Sequence, residues 1–350
     1  MIDPHVHLRD WSQSAKETVR HGLETAWRAG LDAVFEMPNT EPALTGREAI
    51  LRRIDLADRA LRDLGEPIFH GLYAGLTADP RGREEAVEAW RELFPRVVGL
   101  KMFAGHSTGN MGIVEEAGQR AVYGHLAELG FTGVLAVHCE KEGLMARRTD
   151  GSPDWDPARP ATHAAARPPG AETRSVRDQI RLSAEAGFRG HLHVCHASVP
   201  ETVDLVRAAS GAGRRISCAL TPHHALLHSR MMDAQEGILL KCNPPLREAP
   251  MQERMLALLL EGRIDWIETD HAPHTLRDKR EAHASGIPVL PFLPRFLEIL
   301  RGLGAGRALL DGLTHEAVCS AFGISIPDTR RTGERTLSGE YPFDPFSALA

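Results

Sequence analysis

Short apolar runs alternate with amphipathic stretches of helical spacing along most of this chain, and that rhythm restricts the folds open to it. Strand-like runs lie in the opening segment up to His7 and at residues 32–37, 68–74, 97–103, 133–138, 191–195, 215–220 and 265–269. Helical spacing fills residues 15–29, 47–64, 84–93, 118–129, 171–186, 200–209 and 251–260. Parallel strands need a long crossover between them, which a helix supplies, so this alternation predicts a parallel sheet. Eight such units predict an α/β fold of the TIM type, a (β/α)8 barrel. A doubly wound open sheet is the competing arrangement. Residues 149–170 and 269–294 break the rhythm; both follow strands, so in a barrel they form long loops at the strands' C-terminal ends. Residues 1–326 are read as one barrel, and 327–350 as an extended C-terminal segment packed on it.

Composition narrows the function classes. Hydrophobic residues make up 42% and charged residues 25% of the chain, as in ordinary globular domains. The net charge of −6 and the lack of a basic run argue against a nucleic-acid surface. The five cysteines are odd in number and scattered, which suits a reducing compartment better than a disulfide framework. No apolar run approaches the ~18 residues of a membrane span, and no leader-like start is visible, so a cytoplasmic location is expected.

The chemistry-bearing residues fall at strand ends. His5 and His7 sit on one strand two residues apart, which puts both imidazoles on the same face. Lys101 lies inside the apolar run Val97–Phe103. His138 ends the next run, His196 follows the one after, and Asp270 ends the last. In a barrel all of these reach the C-terminal face, where sites of this fold are assembled. Four imidazoles, a carboxylate and a lysine are a donor set for metal ions. A lysine in an apolar strand loses hydration, which favours the neutral amine; such an amine can add carbon dioxide and become a carbamate with two oxygens able to bridge two cations. Bridged ions about 3.5–4 Å apart suit carbonyl polarisation and water activation.

The runs that hold these residues are Asp3-Pro4-His5-Val6-His7-Leu8-Arg9-Asp10, Met37-Pro38-Asn39-Thr40, Gly99-Leu100-Lys101-Met102-Phe103, His138-Cys139-Glu140, His193-Val194-Cys195-His196-Ala197-Ser198, Asn243-Pro244-Pro245-Leu246-Arg247 and Asp270-His271-Ala272-Pro273-His274. In that order, from residue 1 to about 275, the set resembles the dihydroorotases of the amidohydrolase superfamily. Thr221-Pro222-His223-His224 is also similar to a run found in many of these enzymes. The resemblance implies two zinc ions per subunit, one held by His5 and His7 with Asp270, the other by His138 and His196, with carbamylated Lys101 as the bridge. It implies reversible hydrolysis of dihydroorotate to carbamoyl aspartate, the ring-closing step of pyrimidine biosynthesis, with Asp270 passing a proton from water to the ring nitrogen. Arg9, Asn39 and His274 would grip the substrate carboxylate, and Asn243 would sit near the ring carbonyl edge.

Relatives that open hydantoins or allantoin lack the full set of Arg9, Asn39 and His274, which favours dihydroorotate. A hydantoinase, dihydropyrimidinase or allantoinase activity stays open, as does a non-catalytic scaffold that binds aspartate transcarbamoylase. A homo-oligomer is compatible with either. Many relatives carry a small β-sandwich built from residues before the first histidine pair and after the barrel; here it is expected to be absent or reduced, and the true reading frame could start upstream. Residues 105–110 read as a mobile lid or an ordinary polar loop. His193 has opposite parity to His196 and is expected to face the surrounding helices, with the neighbouring cysteines as buried filler. His21, His70, His125, His163, His191, His228, His283 and His315 show no partner spacing and are read as surface or core-edge residues.

Overall fold

The computed structural model describes residues 1–107, 111–149, 152–334 and 339–349. Eight strands, β1 (Ile2–Val6), β2 (Ala33–Glu36), β3 (Phe69–Gly75), β4 (Val97–Phe103), β5 (Val134–His138), β6 (His191–Val194), β7 (Ile216–Leu220) and β8 (Trp266–Ile267), pair in sequence order. Every neighbouring pair is parallel. The edges meet: His7 N donates to His271 O at 2.8 Å, and Val6 and His271 form a parallel bridge. Below that bridge the Asp3 carboxylate accepts from Thr269 N at 3.1 Å and Thr269 Oγ1 at 2.5 Å. The sheet is therefore a (β/α)8 barrel and not an open doubly wound sheet.

Strand alternation sorts side chains into two layers. Val134 and Ala136 of β5 face the barrel interior with Phe35, Tyr73, Ala219 and Trp266. Leu135 and Val137 face outward, among residues such as Leu126, Val176 and Val203 of the surrounding helices. Phe322, from the helix Ala317–Phe322, packs on Phe35 and Trp266 with ring centroids 5.1 and 6.1 Å away. It closes the N-terminal end, so the opposite end alone is left for a site.

β8 is shorter than the predicted run 265–269. Asp265 is drawn off to Cys218 N at 2.8 Å, and Thr269 turns to Asp3, so only Trp266–Ile267 pair as a strand. The helix Leu293–Gly302, which follows the long loop after β8, was not among the predicted helices; its Pro294 sits in the first turn, where a missing N–H costs nothing. Past the barrel, Arg331 donates to Trp27 O and Leu31 O at 2.9 and 2.6 Å, and Phe346 stacks on Phe292 at 3.7 Å. No helix among the described residues is long and apolar enough to cross a membrane.

One buried ion cluster ties this frame to the mouth. Glu36, at the end of β2, accepts from Arg53 Nε at 2.9 Å and lies 2.9 Å from His70 Nε2. Arg53, from the helix Arg47–Leu64, also donates to Arg9 O at 2.7 Å. His70 is thus a buried hydrogen-bond partner of Glu36, not a surface or core-edge residue. Against the cost of burial, Arg53 and His70 hold the Glu36 carboxyl down to about 2. The cluster's contribution is present above 4.5 and is lost as pH falls toward about 2. Replacing Arg53 by Met strands Glu36 as a buried charge, and urea unfolding at neutral pH is expected to show a loss of about 3–5 kcal/mol. A change below about 1 kcal/mol, the size of a surface pair, would remove Arg53 from this role.

Candidate active site

β1, β4, β5, β6 and β8 each send at least one chemistry-bearing residue to the open end of the barrel. His5 and His7 follow each other with ring centroids 5.4 Å apart, and His5 lies 5.2 Å from His196. Asp270 Oδ1 is 3.0 Å from His7 Nε2 and 3.3 Å from His5 Nε2. On the other side His138 Nδ1 faces His196 Nε2 at 3.2 Å. Both His196 (φ 35°) and Asp270 (φ 48°) lie in the left-handed region, a conformation that costs a β-carbon-bearing residue about 1–3 kcal/mol and clusters at functional sites. Lys101 is wholly buried between these groups; its Nζ is 3.0 Å from Cys195 Sγ and 5.0 Å from the Phe103 ring centre. Among the described residues no carboxylate pairs with it.

The outward nitrogens of two of these imidazoles are held by carboxylates. His5 Nδ1 lies 3.0 Å from Glu268 Oε1, and His138 Nε2 lies 2.8 Å from Glu140 Oε2. Glu140 is itself held by Arg167 Nε at 3.0 Å. An imidazole that gives one N–H to a carboxylate keeps a lone pair on the other nitrogen, aimed at the mouth. His7 Nδ1 and His196 Nδ1 are buried without a hydrogen-bond partner. His5, His7 and Asp270 form a group whose ligand atoms lie within 4.8 Å of one another and could hold a metal ion. The donor set and its outer carboxylates fit divalent zinc.

Electrostatics follow from burial and from these pairs. Burial disfavours the His5 cation, but Glu268 and then Asp270 raise it to about 10. Burial lowers His7 to about 4, and burial with the nearby His138 and His5 puts His196 well below the usual range. Against burial, His5 and His7 hold the Asp270 carboxyl well below the usual carboxylate range. Arg9, lowered by burial to about 10, stays a cation at neutral pH.

A narrow cleft opens over this cluster, lined in part by His5, His7, Arg9, Asn39, His138, His196, Asn243 and Asp270. Lys101 lies beneath it and His274 beside it. His274 Nε2 is 3.2 Å from Arg9 Nη2 and 3.0 Å from Ser285 O. Asn243 Oδ1 accepts from His163 Nε2 at 2.9 Å. Of the loop 105–110, Ser107 lines the cavity and His106 N donates to Glu142 at 2.9 Å; Thr108, Gly109 and Asn110 lie outside the described residues.

Two readings need correction. His193 points into the barrel, not toward the helices: its Nε2 is 3.0 Å from Glu268 and its ring stacks on Trp266 at 4.3 Å. The chain leaves the strand in a left-handed turn at His196, so strand alternation does not carry across that residue. His163 is buried against Asn243 rather than at the surface. Sequence reasoning also missed Glu268, which stands two residues before Asp270. Its signal was a second carboxylate at the end of the same strand-like run as Asp270. Arg167 gave no signal, because the short helix Thr162–Ala166 that it caps lies in a stretch without periodicity.

No family model matches the chain. It is 33% identical over 296 residues to the dihydroorotase of Brevibacillus brevis, covering 83% of this chain and 63% of that protein. It is 30% identical to the dihydroorotase of Methanothermobacter thermautotrophicus, covering 99% of this chain and 79% of that protein. The chain belongs to the dihydroorotase family. In fold it is similar to an L-hydantoinase from Arthrobacter aurescens (TM-score 0.80, 24% identity, 97% of this chain and 73% of that one). It is also similar in fold to a dihydroorotase from Campylobacter jejuni (TM-score 0.68, 17% identity, 93% of this chain and 83% of that one). Spanning 63% of the Brevibacillus brevis protein's length, it matches a part of such a relative rather than all of it.

Glu268→Gln keeps the shape but loses the charge that fixes His5. Zinc affinity, measured by competition with a chromophoric chelator, is expected to fall about 10–100-fold with the fold intact. An unchanged affinity would show that His5 does not depend on Glu268.

Proposed function

We propose that this member of the family is a zinc-dependent dihydroorotase that hydrolyses (S)-dihydroorotate to N-carbamoyl-L-aspartate and closes the ring in reverse. The observation that carries the reading is the meeting of the His5, His7 and Asp270 group with the His138–His196 pair, directly beside Arg9. In it, His5, His7 and Asp270 would hold one zinc, His138 and His196 the second, and carbamylated Lys101 would serve both. Burial of Lys101 with the Cys195 sulfur 3.0 Å away and no carboxylate pairing it among the described residues supports the carbamate, because an ammonium is costly to bury on so few partners. Bound there, the two ions would polarise the amide carbonyl and make a water nucleophilic near neutral pH.

The side chains do the rest. Asp270 takes the proton of the attacking water and delivers it to the ring nitrogen as the C–N bond breaks; ring closure runs the same transfers backward. Arg9 presents a guanidinium fork to the substrate carboxylate, with Asn39 and His274 beside it. Its position is fixed by three contacts: Arg53 on its own carbonyl, Pro273 O 3.2 Å from its Nε, and His274. Asn243, braced by His163, faces the ring.

Purified protein should turn over dihydroorotate in preference to hydantoin, dihydrouracil and allantoin; a higher kcat/KM for any of these three would replace the assignment with that cyclic amidase. Asp270→Asn should lower turnover by on the order of 10²–10⁴-fold in both directions, and near-normal rates would end its role as proton carrier. Lys101→Ala should lose zinc and activity together, with partial recovery in short-chain carboxylic acids; undiminished zinc without rescue would count against the carbamate.

A further inference from the structure

Behind the barrel mouth, His223 and His224 begin the short helix Pro222–Leu226 after β7, and Cys242 stands directly before Asn243. One ring nitrogen of each histidine and Cys242 Sγ lie within 4.8 Å of one another, and all three side chains are buried. Neither nitrogen of His223 has a hydrogen-bond partner. Native folds rarely leave a buried imidazole with both nitrogens idle, so this ring is built to meet a further group. His224 Nε2 is 3.0 Å from Pro244 O, and since a carbonyl only accepts, the ring N–H is on Nε2. Its Nδ1 then carries the lone pair, 2.9 Å from Thr221 Oγ1. An N–H anchored on a backbone carbonyl is the outer contact typical of a metal-binding histidine; Thr221 O–H donates to the Nδ1 lone pair and the Cys242 thiol to Pro244 O, and an ion bound there would displace both hydrogen bonds.

We propose that His223, His224 and Cys242 form a second cation site, with donors distinct from those at the barrel mouth, that takes a thiophilic ion of the zinc class. Two imidazoles and a thiolate favour zinc or copper(I) over magnesium and calcium, which prefer oxygen donors. An ion there ties the end of β7 to the segment that carries Asn243, and so steadies one wall of the cavity. The site does not depend on the dihydroorotase reading, because the donors assigned at the mouth include no thiol.

Cobalt(II) exchange into the full chain separates the two sites by absorption. Thiolate ligation gives a charge-transfer band in the near ultraviolet, which imidazole and carboxylate ligation do not. Wild type and Cys195→Ser should show the band, and Cys242→Ser should lose it together with about one ion per chain. The Cys195→Ser control matters because Cys195, with His5 and Glu268, is the other thiol near possible ligands among the described residues. His223→Asn should weaken the band in the same way as Cys242→Ser. If Cys242→Ser does not fold, retention of the band in Cys195→Ser still supports the site. No band in wild type, a band lost with Cys195→Ser, or a band and metal content unchanged in Cys242→Ser would each overturn it.

Discussion

Everything at the mouth depends on the sheet closing on itself between its first and last strands. His7 and Asp270 stand 263 residues apart in sequence, yet their polar atoms lie 3.0 Å apart. Only the parallel bridge between Val6 and His271, with Asp3 clamped to Thr269 beneath it, makes neighbours of those two chain segments. An open sheet with the same strands would leave one half of the donor set at each edge. Closure also decides which end can react. Parallel strands all finish at one rim, and the other rim is filled by Phe322 and its neighbours.

The second constraint is electrostatic. So many ionisable groups are buried at this rim that each must find an opposite charge or a hydrogen bond, or it would not stay charged. The solution is a ring of carboxylates behind the imidazoles: Glu268 behind His5, Glu140 behind His138, and Glu36 behind the Arg53 that supports Arg9. Two of the three are in turn held by arginines, Arg167 and Arg53. Removing any one of them leaves a partner buried and unpaired, so the shell that orients the site also stiffens the fold. The strained backbone at His196 and Asp270 persists because these contacts hold it.

Much of this was legible from the residues alone. The helix-strand rhythm named the barrel, since parallel strands require crossovers and eight units suffice to close. The spacing of His5 and His7 and the strand-end positions of Lys101, His138 and Asp270 indicated which side chains meet at the mouth, because a strand's period of two and its direction fix where such side chains emerge. Local rules stopped where the chain leaves regular structure. His193 was assigned to the wrong face because its register was counted through His196, whose backbone has already turned left-handed. His163 lies in the short helix Thr162–Ala166 and Arg167 caps its end, within the stretch 149–170 that shows no periodicity, so nothing in the pattern tied them to Asn243 and Glu140.

What the sequence determined by itself was therefore the architecture, the end of the barrel that carries chemistry and the kinds of side chain gathered there. Those follow from backbone period and polarity, which are local. What only the tertiary structure decided was which groups touch: Glu268 on His5, Lys101 against Cys195, His223 left without a partner. Such contacts depend on where non-adjacent segments come to rest, and differences of an ångström or two between buried charges outweigh any local preference of the chain.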